Sequence, residues 1–244
     1  MAQQSTAFPS TPYTSIPEDQ FEALHAADGK LRLFNNIVCP FGHRALWTAL
    51  EVNAPFEVIE VSLLEKPASY AEKFNRYGTV PFLLDNGFPV YESSIVAQYL
   101  DAKYGNGDLW RTKDPQGASL ANLLSAKLEV GPFYAVLRTG EEKAKEELRS
   151  ALSEIEAIYR DDAKAFRAQG PYLLGAELSS ADINLAPFLF RFEILLAHYR
   201  NFSFLADCPS LKALLDAVKT RPAFQKSIRP PEVYINGYSK YVTA

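Results

Sequence analysis

The sequence predicts an α/β domain followed by an all-helical domain. The first observation is that short strand and helix patterns alternate over residues 30–105. The second is that residues 114–244 carry helical patterns only, after a polar linker at 106–113. A length of 244 residues suits two domains, since domains cluster near roughly 100–150 residues.

Residues 1–29 are predicted to be an N-terminal extension. Pro9, Pro12 and Pro17 fall among Ser, Thr and Gln, and no apolar period is sustained there. This composition favours an extended chain, and we expect it to lie over the folded body.

The first half of the α/β domain shows a strand, a helix, a second strand and a weak helix. Lys30–Asn36 alternates as a short strand does, and Phe41–Val52 carries apolar residues at helical spacing. Pro55 ends that helix. Phe56–Val61 then predicts a buried strand, and Ser69–Asn75 a short helix.

The second half of this domain predicts a hairpin and a helix. Val80–Leu84 and Pro89–Tyr91 predict two strands joined by Asp85-Asn86-Gly87, a tight-turn sequence. Glu92–Tyr104 predicts a helix that ends at Gly105. The two strands are too close in sequence for a parallel crossover, so they must be antiparallel.

Amphipathic and buried helices are predicted for the second domain. Leu148, Leu152, Ile155, Tyr159 and Phe166 recur at helical spacings and form one apolar stripe. A second helix is predicted over Asn184–Tyr199, which is apolar almost all round and is therefore expected to be central. Pro187 lies inside it and should kink the helix or remove a hydrogen bond. The capping sequence Ser179-Ser180-Ala181-Asp182 precedes it.

Composition excludes several classes of protein. Hydrophobic residues make up 48% of the chain, which excludes wholesale disorder. The formal net charge of −4 argues against a nucleic-acid partner. No apolar run approaches the roughly 18–20 residues of a membrane span. The N-terminus has no secretory pattern and two cysteines make no disulfide framework, so we expect a cytoplasmic protein.

Cys39 is the leading candidate for chemistry. It stands between a predicted strand and a predicted helix, and Pro40 occupies the first helical position. Unpaired amides and the positive end of the helix dipole stabilise a thiolate there, which lowers the thiol pKa. Gly42 stands where a Cys-x-x-Cys pair has its second thiol, so an external thiol must resolve a mixed disulfide. The alternative is a buried cysteine without chemical function.

Two further segments complete a candidate binding site. Val80-Pro81 is compatible with a cis peptide, which would leave the Val80 backbone free to pair with an extended peptide, although a trans proline is the commoner form. Ser93 at a helix start suits a carboxylate and Glu92 suits an ammonium, unless they only cap the helix. Lys66 is a candidate for a second carboxylate. Together these groups match glutathione.

Residues 30–105 resemble the thioredoxin-like N-terminal domain of cytosolic glutathione transferases, and the rest resembles their helical C-terminal domain. The segments that carry the resemblance are Cys39-Pro40-Phe41, Val80-Pro81, Glu92-Ser93, Tyr172-Leu173-Leu174-Gly175 and Ser179-Ser180-Ala181-Asp182. Cys-Pro-Phe is typical of the cysteine-type omega and lambda classes. The sequence departs from the usual omega pattern at Gly42-His43 and keeps Arg44.

The resemblance implies a catalytic Cys39 that forms a mixed disulfide with glutathione. It also implies a set of residues that bind the tripeptide, with Pro81 in the cis form: Phe41, Lys66, Val80, Pro81, Glu92 and Ser93. It implies a cytosolic homodimer with glutathione as co-substrate. Three scattered histidines and the cysteines make no metal set, and Cys208 is expected to pack.

The second substrate is expected to bind between the domains. Candidate lining residues come from two predicted helices, and packing in the core is an equal alternative for them: Phe133, Tyr134, Arg138, Phe188 and Arg191. We expect a small electrophile or disulfide as this substrate.

The predicted function is a glutathione-dependent thiol transferase or reductase. Thioltransferase activity, dehydroascorbate reduction and removal of glutathione from S-adducts all fit one Cys39 cycle. Two alternatives stay open. One is a non-catalytic binding or regulatory protein of the same fold, and the other is a glutathione-dependent dehalogenase or etherase acting on aromatic substrates.

Overall fold

The computed structural model describes residues 8–167 and 170–242, which form two compact units. The first unit ends at Asn106 and also includes Pro222–Ile228, and the second contains Gly107–Arg221 and the residues from Arg229 onward. The sequence analysis placed residues 222–228 in the helical domain, and the structure places them in the first unit.

A five-stranded mixed sheet forms the centre of the first unit. Its order is β1-β3-β2-β4-β5, with β1, β3 and β2 parallel and β4 and β5 antiparallel to their neighbours. The strands are β1 (Ser10–Pro12), β2 (Leu31–Asn35), β3 (Phe56–Glu60), β4 (Phe82–Asp85) and β5 (Phe88–Tyr91). The predicted strands are confirmed, and β1 is additional.

The N-terminal extension supplies this additional strand. The Val58 amide donates to the Pro9 carbonyl at 2.9 Å, and Ser10 to Pro12 pair with Val58 to Glu60. All three β1 residues are exposed and prolines flank the pairing, which suits an edge strand. The extension therefore joins the sheet through Ser10–Pro12, while residues 1–7 lie outside the described ranges.

Five helices correspond to predicted ones, three in the first unit and two in the second, and the others are additional. The helices of both units are α1 (Phe21–Leu24), α2 (Pro40–Glu51), α3 (Ala68–Lys73), α4 (Ser93–Tyr104), α5 (Pro115–Lys127), α6 (Gly131–Thr139), α7 (Glu142–Ala157), α8 (Lys164–Arg167), α9 (Ser180–Arg200), α10 (Pro209–Thr220), α11 (Pro222–Ser227) and α12 (Pro231–Tyr238). Single 3-10 turns lie at Tyr13–Ser15, Glu18–Gln20 and Ser239–Tyr241, and a π-helical turn at Ile158–Asp162. No described helix is both long and apolar enough to cross a membrane.

Two apolar clusters cover the two faces of the sheet, because alternate strand residues point to opposite sides. The α2–α4 cluster packs Leu33 and Val58 against Leu46 and Leu100. The α3 cluster contains a separate set of residues that includes the candidate thiol: Tyr13, Phe21, Phe34, Cys39, Ile59, Val61, Tyr70, Phe74, Val80, Phe82 and Leu84. The candidate site thus lies on the α3 side.

The β4–β5 hairpin turns at Asn86 and Gly87, as predicted. Their φ angles are +50° and +83°. Two successive positive φ values are what a tight hairpin between twisted strands requires, and Asn-Gly adopts them most easily.

Helix α11 completes the first unit by packing on α2. The Phe224 ring meets Trp47 edge-on, with centroids 4.9 Å apart, and His43 Nε2 lies 2.6 Å from the Ser227 hydroxyl oxygen. Three of these side chains, Trp47, Phe224 and Ser227, are fully buried. This aromatic contact explains why the segment belongs to the first unit.

The second unit is helical and is organised around α9. This helix is buried along most of its length and continues through Pro187. Its start carries the predicted capping box, in which Ser179 and Asp182 bond reciprocally. The Asp182 carboxylate also accepts from the Leu173 amide at 3.0 Å and from the Tyr159 hydroxyl at 2.9 Å. Burial nevertheless raises the pKa of Asp182.

Candidate functional site

Cys39 is the N-cap residue of α2 and follows the short loop after β2, as the sequence predicts. The His43 amide donates to the Cys39 carbonyl at 2.9 Å, which begins the helix, and Pro40 follows at its first position. The thiol is 9% exposed, and it donates to the Val80 carbonyl oxygen, with Sγ and the oxygen 3.9 Å apart. The sulfur therefore combines a helix start with close contact to the proline loop.

The Val80–Pro81 peptide is cis, which confirms the expectation for this loop. The carbonyl of Thr79, one residue earlier, accepts two hydrogen bonds from the α3 region. Tyr70 Oη donates at 2.7 Å and Asn75 Nδ2 donates at 2.8 Å. Burial raises the pKa of Tyr70, so the hydroxyl keeps its proton for this bond.

Glu92 and Ser93 begin α4. Ser93 is the first helical residue, and Glu92 precedes it with a φ of +68°. Arg44 Nη1 donates to Ser93 Oγ at 3.2 Å, and the same guanidinium lies over the Phe41 ring at 5.2 Å. The sequence analysis noted Arg44 only because omega-class proteins also carry an arginine at this point. Its contacts with Ser93 and Phe41 result from the packing of α2 on α4, which no local sequence pattern indicates.

A cavity of about 180 Å³ brings most of the predicted glutathione-binding residues together. It is lined by Phe41, Thr79, Val80, Pro81, Glu92 and Ser93. Lys66 lies beside this set, because its ammonium donates to the Gly78 carbonyl, next to Thr79. The cavity thus combines an aromatic ring, backbone groups, a carboxylate and a hydroxyl. It lies next to Cys39, because Val80 both lines the cavity and contacts the thiol.

Gly42 is required by the side chain beneath it. A Cβ at residue 42 would lie 2.1 Å from Asn35 Oδ1 and 3.1 Å from the Asn36 carbonyl oxygen. Asn35 is 1% exposed, and its Oδ1 has no hydrogen-bond donor within 8–167 and 170–242. Asn35 therefore fills the space in which a second thiol of a Cys-x-x-Cys pair would stand. The sequence offered no signal for this contact.

Cys208 begins a helix in the same way as Cys39, and it lies beside two acidic side chains, Glu156 and Asp207. It is the N-cap residue of α10 and Pro209 follows it. The buried Glu156 carboxylate accepts from the Ser210 and Leu211 amides of that helix start. Burial, and then the negative charges of Glu156 and Asp207, raise the pKa of Cys208 to about 11. Cys208 is thus packed, as expected, and its raised pKa favours the protonated thiol.

This contrast predicts selective alkylation of the two thiols. Only a thiolate reacts readily, and Cys208 reaches its thiolate form only as pH approaches its raised pKa of about 11. Iodoacetamide at pH 7–8 is therefore expected to label Cys39 and to leave Cys208 unmodified. Peptide mass spectrometry over a time course measures both rates. Equal labelling of the two cysteines in the folded protein would contradict the assignment.

The residues predicted to line the second-substrate pocket lie in the second unit, where some are buried and others are accessible to solvent. Phe133, Phe188 and Arg191 are fully buried. The Phe133 and Phe188 rings are 6.3 Å apart, and the Arg191 guanidinium lies over the Tyr234 ring at 4.9 Å. This placement favours the packing alternative for these three. Two others reach the surface of the unit, with Tyr134 half-buried and Arg138 exposed.

No group of three His, Cys, Asp or Glu side chains that could hold a metal ion occurs among the described residues.

A cysteine at a helix start, facing a cis-proline loop on a mixed sheet, defines a thioredoxin-like thiol protein, here with a separate helical unit. Residues 33–108 match the family model described as "Glutathione S-transferase, N-terminal domain", and residues 111–227 match "Glutathione S-transferase, C-terminal domain". The chain belongs to the glutathione S-transferase family, in the cytosolic superfamily.

Three known proteins illustrate this relationship. "Glutathione S-transferase DHAR2" of Arabidopsis thaliana is 26% identical over 206 residues, which cover 84% of this chain and 91% of that protein. "Glutathione transferase Omega 3C" of Trametes versicolor has a TM-score of 0.71 and 26% identity, covering 91% and 94% of the two chains. The trimeric Leishmania glutathione transferase TDR1 has a TM-score of 0.80 and 25% identity, covering 87% of this chain and 49% of that one.

Proposed function

We propose that the protein is a glutathione-dependent thiol transferase or reductase that works through a Cys39–glutathione mixed disulfide. The observation that carries this proposal is the position of Cys39 Sγ, at the start of α2 and 3.9 Å from the carbonyl oxygen of Val80 in the cis-proline loop. A helix start favours the thiolate, and the loop offers backbone groups to an extended peptide. The relatives named DHAR and Omega support the same assignment.

Each part of glutathione has a proposed partner in the first unit. The Val80 backbone pairs with the cysteinyl unit, which brings the glutathione sulfur towards Cys39. Glu92 takes the γ-glutamyl ammonium, and Ser93 with the first amides of α4 takes its carboxylate. Lys66 takes the glycyl carboxylate. Phe41 and Pro81 complete the wall of the cavity.

The proposed cycle consists of two thiol–disulfide exchanges. The Cys39 thiolate attacks the glutathione sulfur of a glutathionylated substrate, and the substrate sulfur leaves as a thiolate and takes a proton from water. A glutathione thiolate then attacks the glutathione sulfur of the mixed disulfide. This step releases oxidised glutathione and restores the Cys39 thiolate. Asn35 keeps the position opposite Cys39 free of a second thiol, so external glutathione resolves the intermediate.

We further propose the class, the acceptor, the second substrate and the oligomeric form of the protein, which membership of the family does not define. The Cys-Pro-Phe segment supports the omega- or lambda-like thioltransferase type, and the relatives support dehydroascorbate as an acceptor. The second substrate is a small electrophile or disulfide. A cytoplasmic homodimer is the proposed form.

Mass spectrometry of the intact protein tests the proposed cycle. Incubation with oxidised glutathione is expected to add about 305 Da to the protein, located on the peptide that contains Cys39 and reversed by reduced glutathione. Retention on immobilised glutathione is the companion measurement. A folded protein that neither binds the column nor gains the adduct would contradict the proposal and favour a non-catalytic member of the family.

A further inference from the structure

Two aromatic side chains of the N-terminal extension lie on opposite faces of the sheet. Phe8, before β1, packs in the α2–α4 cluster with its ring 5.7 Å from that of Phe56. Tyr13, directly after β1, packs in the α3 cluster, which also contains Cys39. The parallel pairing of β1 with β3 fixes both positions. The extension therefore reaches the site side through Tyr13 and the other side through Phe8.

Tyr13 packs against the helix that supports the cis-proline loop. Its side chain is 2% exposed, and its ring meets Tyr70 and Phe74 edge-on, each with centroids 5.7 Å apart. Its hydroxyl oxygen lies 3.1 Å from Ser69 Oγ. Helix α3 contains only six residues, and a helix this short depends on tertiary packing for its stability. Tyr13 contributes to that packing together with Phe21 and Phe34.

Helix α3 in turn holds the loop that faces the thiol. Tyr70 donates to the Thr79 carbonyl, and Asn75, just after the helix, donates to the same oxygen. The next residue is Val80, whose carbonyl oxygen lies 3.9 Å from Cys39 Sγ. A continuous set of contacts thus runs from Tyr13 through Tyr70 and Thr79 to Val80.

We propose that Tyr13 is a positioning residue for glutathione binding, so that the extension sets the affinity of the site. This inference rests on the proposed function, because it assigns Val80 to glutathione. Without the Tyr13 ring, α3 and the Tyr70 hydroxyl lose their fixed position, and the Val80 backbone no longer presents its groups in one geometry. The cost falls on binding, because α2, whose start carries Cys39, packs on α4 and α11.

The test compares Tyr13→Ala with Phe8→Ala, which removes a buried aromatic ring of the same extension from the opposite face. Tyr13→Ala is expected to raise the KM and the Kd for glutathione about tenfold with kcat within about twofold, since a positional shift near 1 Å suffices for such losses. Phe8→Ala is expected to lower the Tm while the KM stays unchanged. Tyr13→Phe keeps the ring and is therefore expected to keep the wild-type KM and Kd for glutathione.

Tyr13→Leu serves where Tyr13→Ala does not fold, and its KM is expected to rise about threefold. All variants are measured at a temperature at which circular dichroism shows them folded. Equal KM values for the Tyr13 variants and the wild type, or an equal rise in Phe8→Ala, would overturn the inference. A wild-type protein that fails to bind glutathione would instead overturn the proposed function, so the two failures are distinguishable.

Discussion

Replacing Cys39 by serine is expected to reduce thioltransferase turnover by at least about 100-fold, since a hydroxyl can form no disulfide. Serine is close in size to cysteine, so the start of α2 and the glutathione cavity should be kept. The Kd for glutathione is therefore expected to change little. Turnover is measured with a glutathionylated peptide as substrate, and the Kd is measured by calorimetry.

The matched control for this variant is Cys208→Ser. Cys208 also precedes a proline at a helix start, but the α10 amides already bind Glu156. Its replacement is expected to leave turnover unchanged. Wild-type turnover in Cys39→Ser would refute the proposed cycle, and loss of turnover in both variants would indicate a structural effect rather than lost chemistry.

Gly42→Ala is expected to lower kcat/KM about tenfold and to destabilise the protein by about 1–3 kcal/mol, as overpacking of a filled interior does. The added methyl group would meet Asn35 Oδ1 at 2.1 Å and the Asn36 carbonyl oxygen at 3.1 Å. The first turn of α2 must then move, and Cys39 moves with it. Steady-state kinetics and urea unfolding measure the two effects.

The double variant Asn35→Ala/Gly42→Ala tests the cause of that loss. Removing the Asn35 amide opens the space that the new methyl group needs, so part of the activity and stability should return. The difference from the sum of the two single variants measures the coupling between the residues. A Gly42→Ala variant with wild-type activity and stability would show that the helix start tolerates the added carbon.

Sequence patterns predicted most elements of the first unit and two helices of the second, because those elements depend on local periodicity and on turn residues. Asn86-Gly87 predicted the hairpin, and the capping sequence at Ser179 predicted the start of α9. The candidate glutathione-binding residues were predicted as a group, since most of them stand at the end of a strand or the start of a helix that the sequence identifies. The structure then brings Phe41, Val80 and Ser93 to one cavity.

Features that depend on distant contacts were not predictable in the same way. β1 contains three exposed residues without alternation, and only its pairing with β3 makes it a strand. The contact between Asn35 and Gly42 and the bond from Arg44 to Ser93 join neighbours that a one-dimensional pattern cannot identify. The burial of Phe133 and Phe188 likewise follows from helix packing.

The return of α11 to the first unit has a consequence for biosynthesis. Trp47 of α2 packs against Phe224, which is translated only after Gly107–Arg221 of the second unit. The first unit is therefore interrupted in sequence by most of the helical one. During synthesis on the ribosome, the face of α2 that contacts α11 stays exposed to solvent until that helical segment has been translated.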